Sequence, residues 1–200
     1  MMEKPADTQY PIHDLFKRRW SPLVFSDQPV ESEKLHMLFE AARWAPSSYN
    51  EQPWRFIVAH KDKDNDTEWN RLLACLEEGN RKWAYRAPIL ILSVASLNFV
   101  DDSTPNRHAF HDTGMAVENL VLQAAALGLA THQMAGFDVE KARADLMIPS
   151  GYEPVAMIAV GYPGDPASLP DRLRERELRP RSRQPISEWT FSGQWGDPLR

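Results

Sequence analysis

Three polar segments of the chain carry the side chains that could hold a ligand. Residues 17–21, KRRWS, set three cations and a hydroxyl close together. Residues 46–54, PSSYNEQPW, crowd two serines, an asparagine and a glutamine between two prolines at the mouth of a strand-like run. Residues 179–185, RPRSRQP, put three arginines in a proline-rich stretch near the other end of the chain. Each has an ordinary reading by itself: cations suit a helix C-terminus, Ser and Asn suit turns, and a basic loop suits water. As a set they are complementary. Guanidinium groups match phosphate, hydroxyls and carboxamides match the polar edges of a sugar or heterocycle, and tryptophans offer flat faces. Nothing reads as a nucleophile paired with its base, so no catalytic residue is assigned. A protein with anchors but no catalyst of its own delegates the chemistry to a cofactor.

Other chemistries lack their signatures. No GxGxxG follows a strand, and there is neither a Walker A loop nor a GxSxG elbow. His108 and His111 lie three apart, but no carboxylate pattern completes a metal site, and they read as loop or surface histidines. The single cysteine, Cys75, excludes an intrachain disulfide framework and reads as a small half-buried hydrophobe on a helix.

The composition agrees with one folded domain. The chain has 200 residues, 42% hydrophobic and 26% charged, with a net charge of −5 that points to neither nucleic acid nor an anionic membrane. No signal peptide is evident at the start, the most apolar stretch (115–134) is broken by polar residues, and a cytoplasmic setting fits. Sixteen prolines imply much loop structure.

The elements that must position the polar segments follow from periodicity. Helices are expected over 11–20, from an N-cap at Ser32 to a stop at Pro46, over 67–78, 81–85 and 112–127 with Gly128 as cap, and over 139–147 capped by Asp138. Strands are expected over 54–60, 89–95, 129–134 and 153–161. The 89–95 run, ILILSVA, is apolar on both faces and reads as a central strand. The helix over 112–127 is apolar nearly all round, which places it in the middle of the domain or against a partner chain. KDKDND, residues 61–66, reads as a solvated turn. Residues 164–200 form an arginine- and proline-rich tail with an apolar end, which should lie on its own domain or on a neighbour's.

The sequence resembles the FMN-dependent nitroreductase family over nearly all its length. The resemblance is carried by RRWSPLVF (18–25), APSSYNEQPWRFIV (45–58), GNRKWAYRAPILIL (79–92), GMAVENLVLQAAALGLATHQMAGFD (114–138), AVGYP (159–163) and RSRQPISE (181–188), in that order. It implies an α+β sandwich with a mainly antiparallel central sheet flanked by helices. It implies an intertwined homodimer whose flavin sites draw residues from both subunits, with 164–200 as an extended arm across the partner. By position, Arg19 and Ser21, with Arg18 adjacent, match the phosphate and ribityl contacts. Pro46, Ser47 and Ser48, with Asn50 and Gln52 of the same motif, match the loop beside the isoalloxazine. Asn80 matches an amide near the flavin's polar edge, Met134, Ala135 and Gly136 the segment passing the ring, and Arg181 and Arg183 the basic pair on the phosphate. Departures fall at Leu23, where many members are basic, at Trp20, and at Ala135, where some are acidic. They bear on substrate preference.

The implied activity is FMN-dependent reduction of electron-poor acceptors, such as nitroaromatics or quinones, with NADH or NADPH as donor and ping-pong kinetics. Relatives that dehalogenate or dehydrogenate use a lid over the flavin, for which residues 99–111 are the candidate here; a non-catalytic flavin-binding protein is the reading from another class.

Overall fold

Four strands build one antiparallel sheet: β1, Trp54–His60; β2, Ile89–Ser96; β3, Ala130–Met134; and β4, Tyr152–Gly161, in the order β1-β2-β4-β3. The computed structural model describes residues 4–62 and 65–199. The two central strands are apolar on both faces because both faces are covered. Leu90, Leu92, Met157 and Ala159 point to one side, into a core shared with Trp69, Leu72 and Trp83. Ile89, Ile91, Ile158 and Val160 point to the other, toward Leu38 and Leu120. The period of two therefore splits one sheet between two hydrophobic layers. Each fully buried aliphatic side chain contributes about 1.5–3 kcal/mol.

Seven helices flank the sheet among the described residues: α1, Asp14–Arg18; α2, Ser32–Arg43; α3, Thr67–Cys75; α4, Glu78–Ala84; α5, Ala109–Ala126; α6, Val139–Asp145; and α7, Asp171–Leu178. α2 and α5 cover one face, while α3, α4 and α6 cover the other. The expected α+β sandwich is thus present, with local corrections. The first helix starts at Asp14, where His13 accepts the Leu15 amide at 3.2 Å. Ser32 is the first residue of α2 and does not cap it; Glu31 holds the cap position without a side-chain bond. The helix expected over 67–78 breaks at Leu76, whose extended backbone bridges Phe137. Asp138 does cap α6, accepting the Lys141 amide at 2.9 Å. α5 starts three residues earlier than expected, ends at Ala126 and is followed past its cap by Gly128, whose φ of 75° suits glycine. Of the expected turn over 61–66, Lys63 and Asp64 lie outside the described residues.

The tail is the largest correction. It is not extended throughout: Asp171–Leu178 is helical, and Leu169 and Glu177 are buried against the tail's own chain. Beyond α7 most residues are exposed, Trp189 and Trp195 among them.

α5 is buried along one stripe that includes Ala116, Val117, Leu120 and Ala124, while Phe110, Gly114 and Glu118 remain exposed. Its first turn meets residues 46–54, and Val121 and Ala125 line a cavity beside Arg19.

Candidate cofactor-binding site

Cations from both ends of the chain converge within this one chain. Arg19 lies just past α1, and its Nη1 donates to Ser21 Oγ at 3.3 Å. Arg181 and Arg183, from the tail, lie within electrostatic reach of it. Burial pushes the Arg19 guanidinium below its ordinary pKa, the Glu118 carboxylate opposes this, and Arg183 adds to it. Burial likewise lowers Arg181, and Arg19 and Arg183 lower it further. Three mutually repelling guanidinium groups, two of them partly desolvated, form a place where an anion lowers the energy. Arg18 is exposed beside them. A cavity of about 150 Å³ opens here, lined by Lys4, Arg18, Arg19 and Trp20 and walled by Val121 and Ala125 of α5.

The tail also braces the turn that carries Arg19. Arg181 Nη1 donates to the carbonyl oxygens of Lys4 and Lys17, each at 2.8 Å. Glu177, 1% exposed, accepts the Leu23 amide on Oε2 at 2.8 Å, and Lys4 Nζ donates to the Glu177 carbonyl. His132 of β3 donates from Nδ1 to the Pro22 carbonyl at 2.8 Å and packs on Trp83 with ring centroids 4.4 Å apart. Burial holds the imidazole below its usual pKa, which leaves it neutral and suited to this donor role. Trp83 itself is core, and Leu23 is buried too, so the Leu23 departure falls on an inward-facing side chain.

The serine loop has an unusual backbone. Tyr49, Asn50 and Gln52 have φ of 53°, 57° and 51°. Asparagine tolerates this region; tyrosine and glutamine rarely adopt it. Ser47 Oγ accepts the Gln52 amide at 3.0 Å, and Gln52 Nε2 donates to the Asn50 carbonyl at 2.9 Å. The Ser47 hydroxyl and the Gln52 carboxamide thus serve the loop itself. Ser48 is tied to α5, its amide donating to Asp112 Oδ2 at 2.9 Å. Pro46 opens the loop, and Tyr49 at its tip is 92% exposed with its ring edge-on to Phe99, centroids 6.1 Å apart. The candidate lid begins as a tight hairpin tied to this loop: Val100 N–H donates to Glu51 Oε1 at 2.6 Å.

The third group lies at the far end of β3. Asn80 Nδ2 donates to the Gly136 carbonyl at 2.9 Å. A Cβ on Gly136 would stand 2.8 Å from Asn80 Nδ2 and 2.9 Å from Glu77 Oε2, so a side chain there would push both groups aside. Ala135 is exposed, whereas the Met134 side chain is buried in the core and leaves only its backbone to face outward.

The arginine and Asn80–Gly136 groups therefore lie toward the two ends of one edge strand, β3. The serine loop sits at the first turn of α5 and precedes β1, the opposite edge of the sheet. Among the described residues no hydrogen bond joins it to the arginines. Sequence reasoning did not single out Asp112, Glu177 or Lys4, because their roles come from contacts across 64, 154 and 173 residues of chain.

Residues 16–162 match the profile described as Nitroreductase family. A Mycolicibacterium smegmatis protein described as an uncharacterized 15.4 kDa protein is 37% identical over 150 residues, 72% of this chain and 99% of its own length. A Streptomyces coelicolor protein with the provisional name NADH dehydrogenase/NAD(P)H nitroreductase is 27% identical, covering 78% of this chain and 87% of its own. Among solved structures, one described as an oxidoreductase containing FMN superposes with a TM-score of 0.89 at 36% identity, covering 96% of both chains. An FMN-dependent nitroreductase from Clostridium difficile superposes with a TM-score of 0.63 at 27% identity, covering 76% of this chain and 87% of its own.

Proposed function

The chain belongs to the nitroreductase family, and on that premise we propose that it is an FMN-dependent oxidoreductase that uses NADH or NADPH to reduce electron-poor acceptors such as nitroaromatics or quinones. The observation that carries the reading is the convergence of Arg19, Arg181 and Arg183. Their repulsion is relieved by a dianionic phosphate, and charge-assisted bonds of about 1.5–3 kcal/mol each would supply much of the affinity for it. The donor set fits FMN at the other end as well: Asn80 and the Ala135–Gly136 backbone offer amides, and the missing Cβ of Gly136 keeps that passage narrow.

Bound FMN would supply the redox chemistry, passing reducing equivalents from a nicotinamide to the acceptor. The residues of the chain hold and orient. Arg19, Arg181 and Arg183 take the phosphate, with Arg18 at the rim and Ser21 beside Arg19. The Asn80 amide and the backbone of residues 134–136 would hold the polar edge of the ring. Ser48 and Asn50 keep polar groups unspent within the loop, and Pro46 restricts its approach. In this reading a second copy of the chain brings the serine loop of one subunit to the arginines of the other. The exposed face of α5 that carries Phe110 and Gly114 and the exposed aromatics of the tail favour such a homodimer.

The test is the absorption spectrum of freshly purified protein, followed by anaerobic addition of NADH or NADPH and then of a quinone. A flavin spectrum that bleaches with the nicotinamide and returns with the quinone is expected, with parallel double-reciprocal lines in steady state. A colourless protein that binds no added FMN ends the reading.

A further inference from the structure

We infer that Asp112 is the positioning residue of the serine loop, the buried group that fixes Ser48 and Asn50 for the cofactor; this rests on the flavin reading above. Three left-handed backbones in four residues, none of them glycine, cost about 1–3 kcal/mol each and persist only where the surroundings over-determine them. The ties within the loop do not suffice. The Gln52 side chain and the Glu51 carboxylate make their bonds at exposed sites, where water competes. Asp112 is different. It is 2% exposed, and its Oδ2 accepts the Ser48 amide at 2.9 Å, so the acceptor end of this partly buried bond is shielded from water.

Its place in the chain matters as much. Asp112 lies in the first turn of α5, where the helix dipole favours a carboxylate. The same helix reaches Val121 and Ala125, which wall the arginine-lined cavity. Asp112 thus fastens the loop to a long helix whose far end borders the cations of its own chain. By taking the Ser48 amide while Ser47 Oγ takes the Gln52 amide, this pair of bonds leaves the Ser48 hydroxyl and the Asn50 side chain without partners among the described residues. Those two groups remain to be offered to a ligand.

The test compares Asp112→Ala with Asp112→Asn, which keeps an acceptor for the Ser48 amide. FMN dissociation is followed by flavin fluorescence and unfolding by thermal denaturation. Asp112→Ala should raise the FMN Kd by about tenfold or more, and Asp112→Asn should restore it to within about threefold of wild type. A melting shift in Asp112→Ala with an FMN Kd within about twofold of wild type would reduce Asp112 to a structural role and overturn the inference. Should Asp112→Ala not fold, amide hydrogen exchange in the wild type decides: the Ser48 amide should exchange far more slowly than its exposed neighbour Tyr49, and equal rates would overturn the inference. A wild type that binds no FMN ends the flavin reading itself, whereas one that binds FMN as tightly as Asp112→Ala does ends only the role of Asp112.

Discussion

Arg181 donates from Nη1 to the Lys17 carbonyl oxygen at 2.8 Å, across 164 residues of sequence. The same nitrogen reaches the Lys4 carbonyl at 2.8 Å. The guanidinium that sequence reasoning assigned to a phosphate therefore also fixes the turn from which Arg19 projects. Arg181→Ala should thus act twice, lowering stability by about 1–3 kcal/mol for lost charge-assisted bonds and weakening FMN retention. Arg181→Lys should recover less than half of each effect, because an ammonium on a flexible stem does not reproduce the fork. Urea denaturation and flavin titration of the three proteins check this; a Lys variant equal to wild type in both would refute it.

Arg183 is exposed and, among the described residues, donates only to the neighbouring Ser182 carbonyl, whereas Arg19 is half-buried. If both contact phosphate, Arg183→Ala should cost FMN affinity with little change in melting temperature and should flatten the dependence of FMN affinity on salt. Arg19→Ala should cost affinity more steeply, since a desolvated cation interacts more strongly than an exposed one. Isothermal titration with FMN at two salt concentrations separates the outcomes. Unchanged affinity in both variants would remove the phosphate from this place.

What the sequence made legible and what it hid have physical causes. Strand β1 matched its expected bounds, and β2 and β4 differed by one residue, because a run such as ILILSVA has one comfortable environment, between two layers. The arginines of the candidate site were visible as composition at the two ends of the chain. Hidden were features that depend on contacts between distant residues. Helix α7 reads DRLREREL, polar nearly all round, and only the position of Glu177 against Leu23 shows why one of its carboxylates is buried. The Asp112 anchor was hidden for another reason: nothing in SSYNEQ announces left-handed backbone at Tyr49 and Gln52, and without that strain no anchor is needed.

Glu177 sets a pH dependence of stability. Burial raises its pKa above the ordinary carboxylate value, opposed by the Leu23 amide, Lys4 and Arg176. A carboxyl raised in the folded state contributes stability that is complete below its unfolded pKa and is lost as pH rises through the folded value. Its Oε1 is buried without a hydrogen-bond partner among the described residues, so ionisation there is only partly compensated. Glu177→Gln keeps an acceptor for the Leu23 amide and removes the charge. Its melting temperature should exceed that of wild type at pH 8, with the gap closing toward pH 4. A gap that widens on acidification would show that the Lys4 attraction outweighs desolvation.

Two glycines give opposite expectations for the same substitution. A Cβ on Gly161 would lie 2.6 Å from Pro88 Cδ and 2.9 Å from Pro88 Cγ, atoms of a rigid ring beside the end of β2 and β4. Neither the ring nor the paired strands can yield, so Gly161→Ala should destabilise the fold by about 1–3 kcal/mol and leave the FMN affinity of the folded fraction near wild type. On Gly136 the obstacles are the ends of two side chains, Asn80 Nδ2 at 2.8 Å and Glu77 Oε2 at 2.9 Å. Glu77 is exposed and can swing away at little cost, but Asn80 can move only by giving up its 2.9 Å bond to the Gly136 carbonyl. Gly136→Ala should therefore cost no more than about 1 kcal/mol of stability while lowering FMN affinity several-fold through the displaced amide. Denaturation and flavin titration of the pair decide the matter: equal stability losses with unchanged FMN binding in both would show that Asn80 and Gly136 pack together without serving the cofactor.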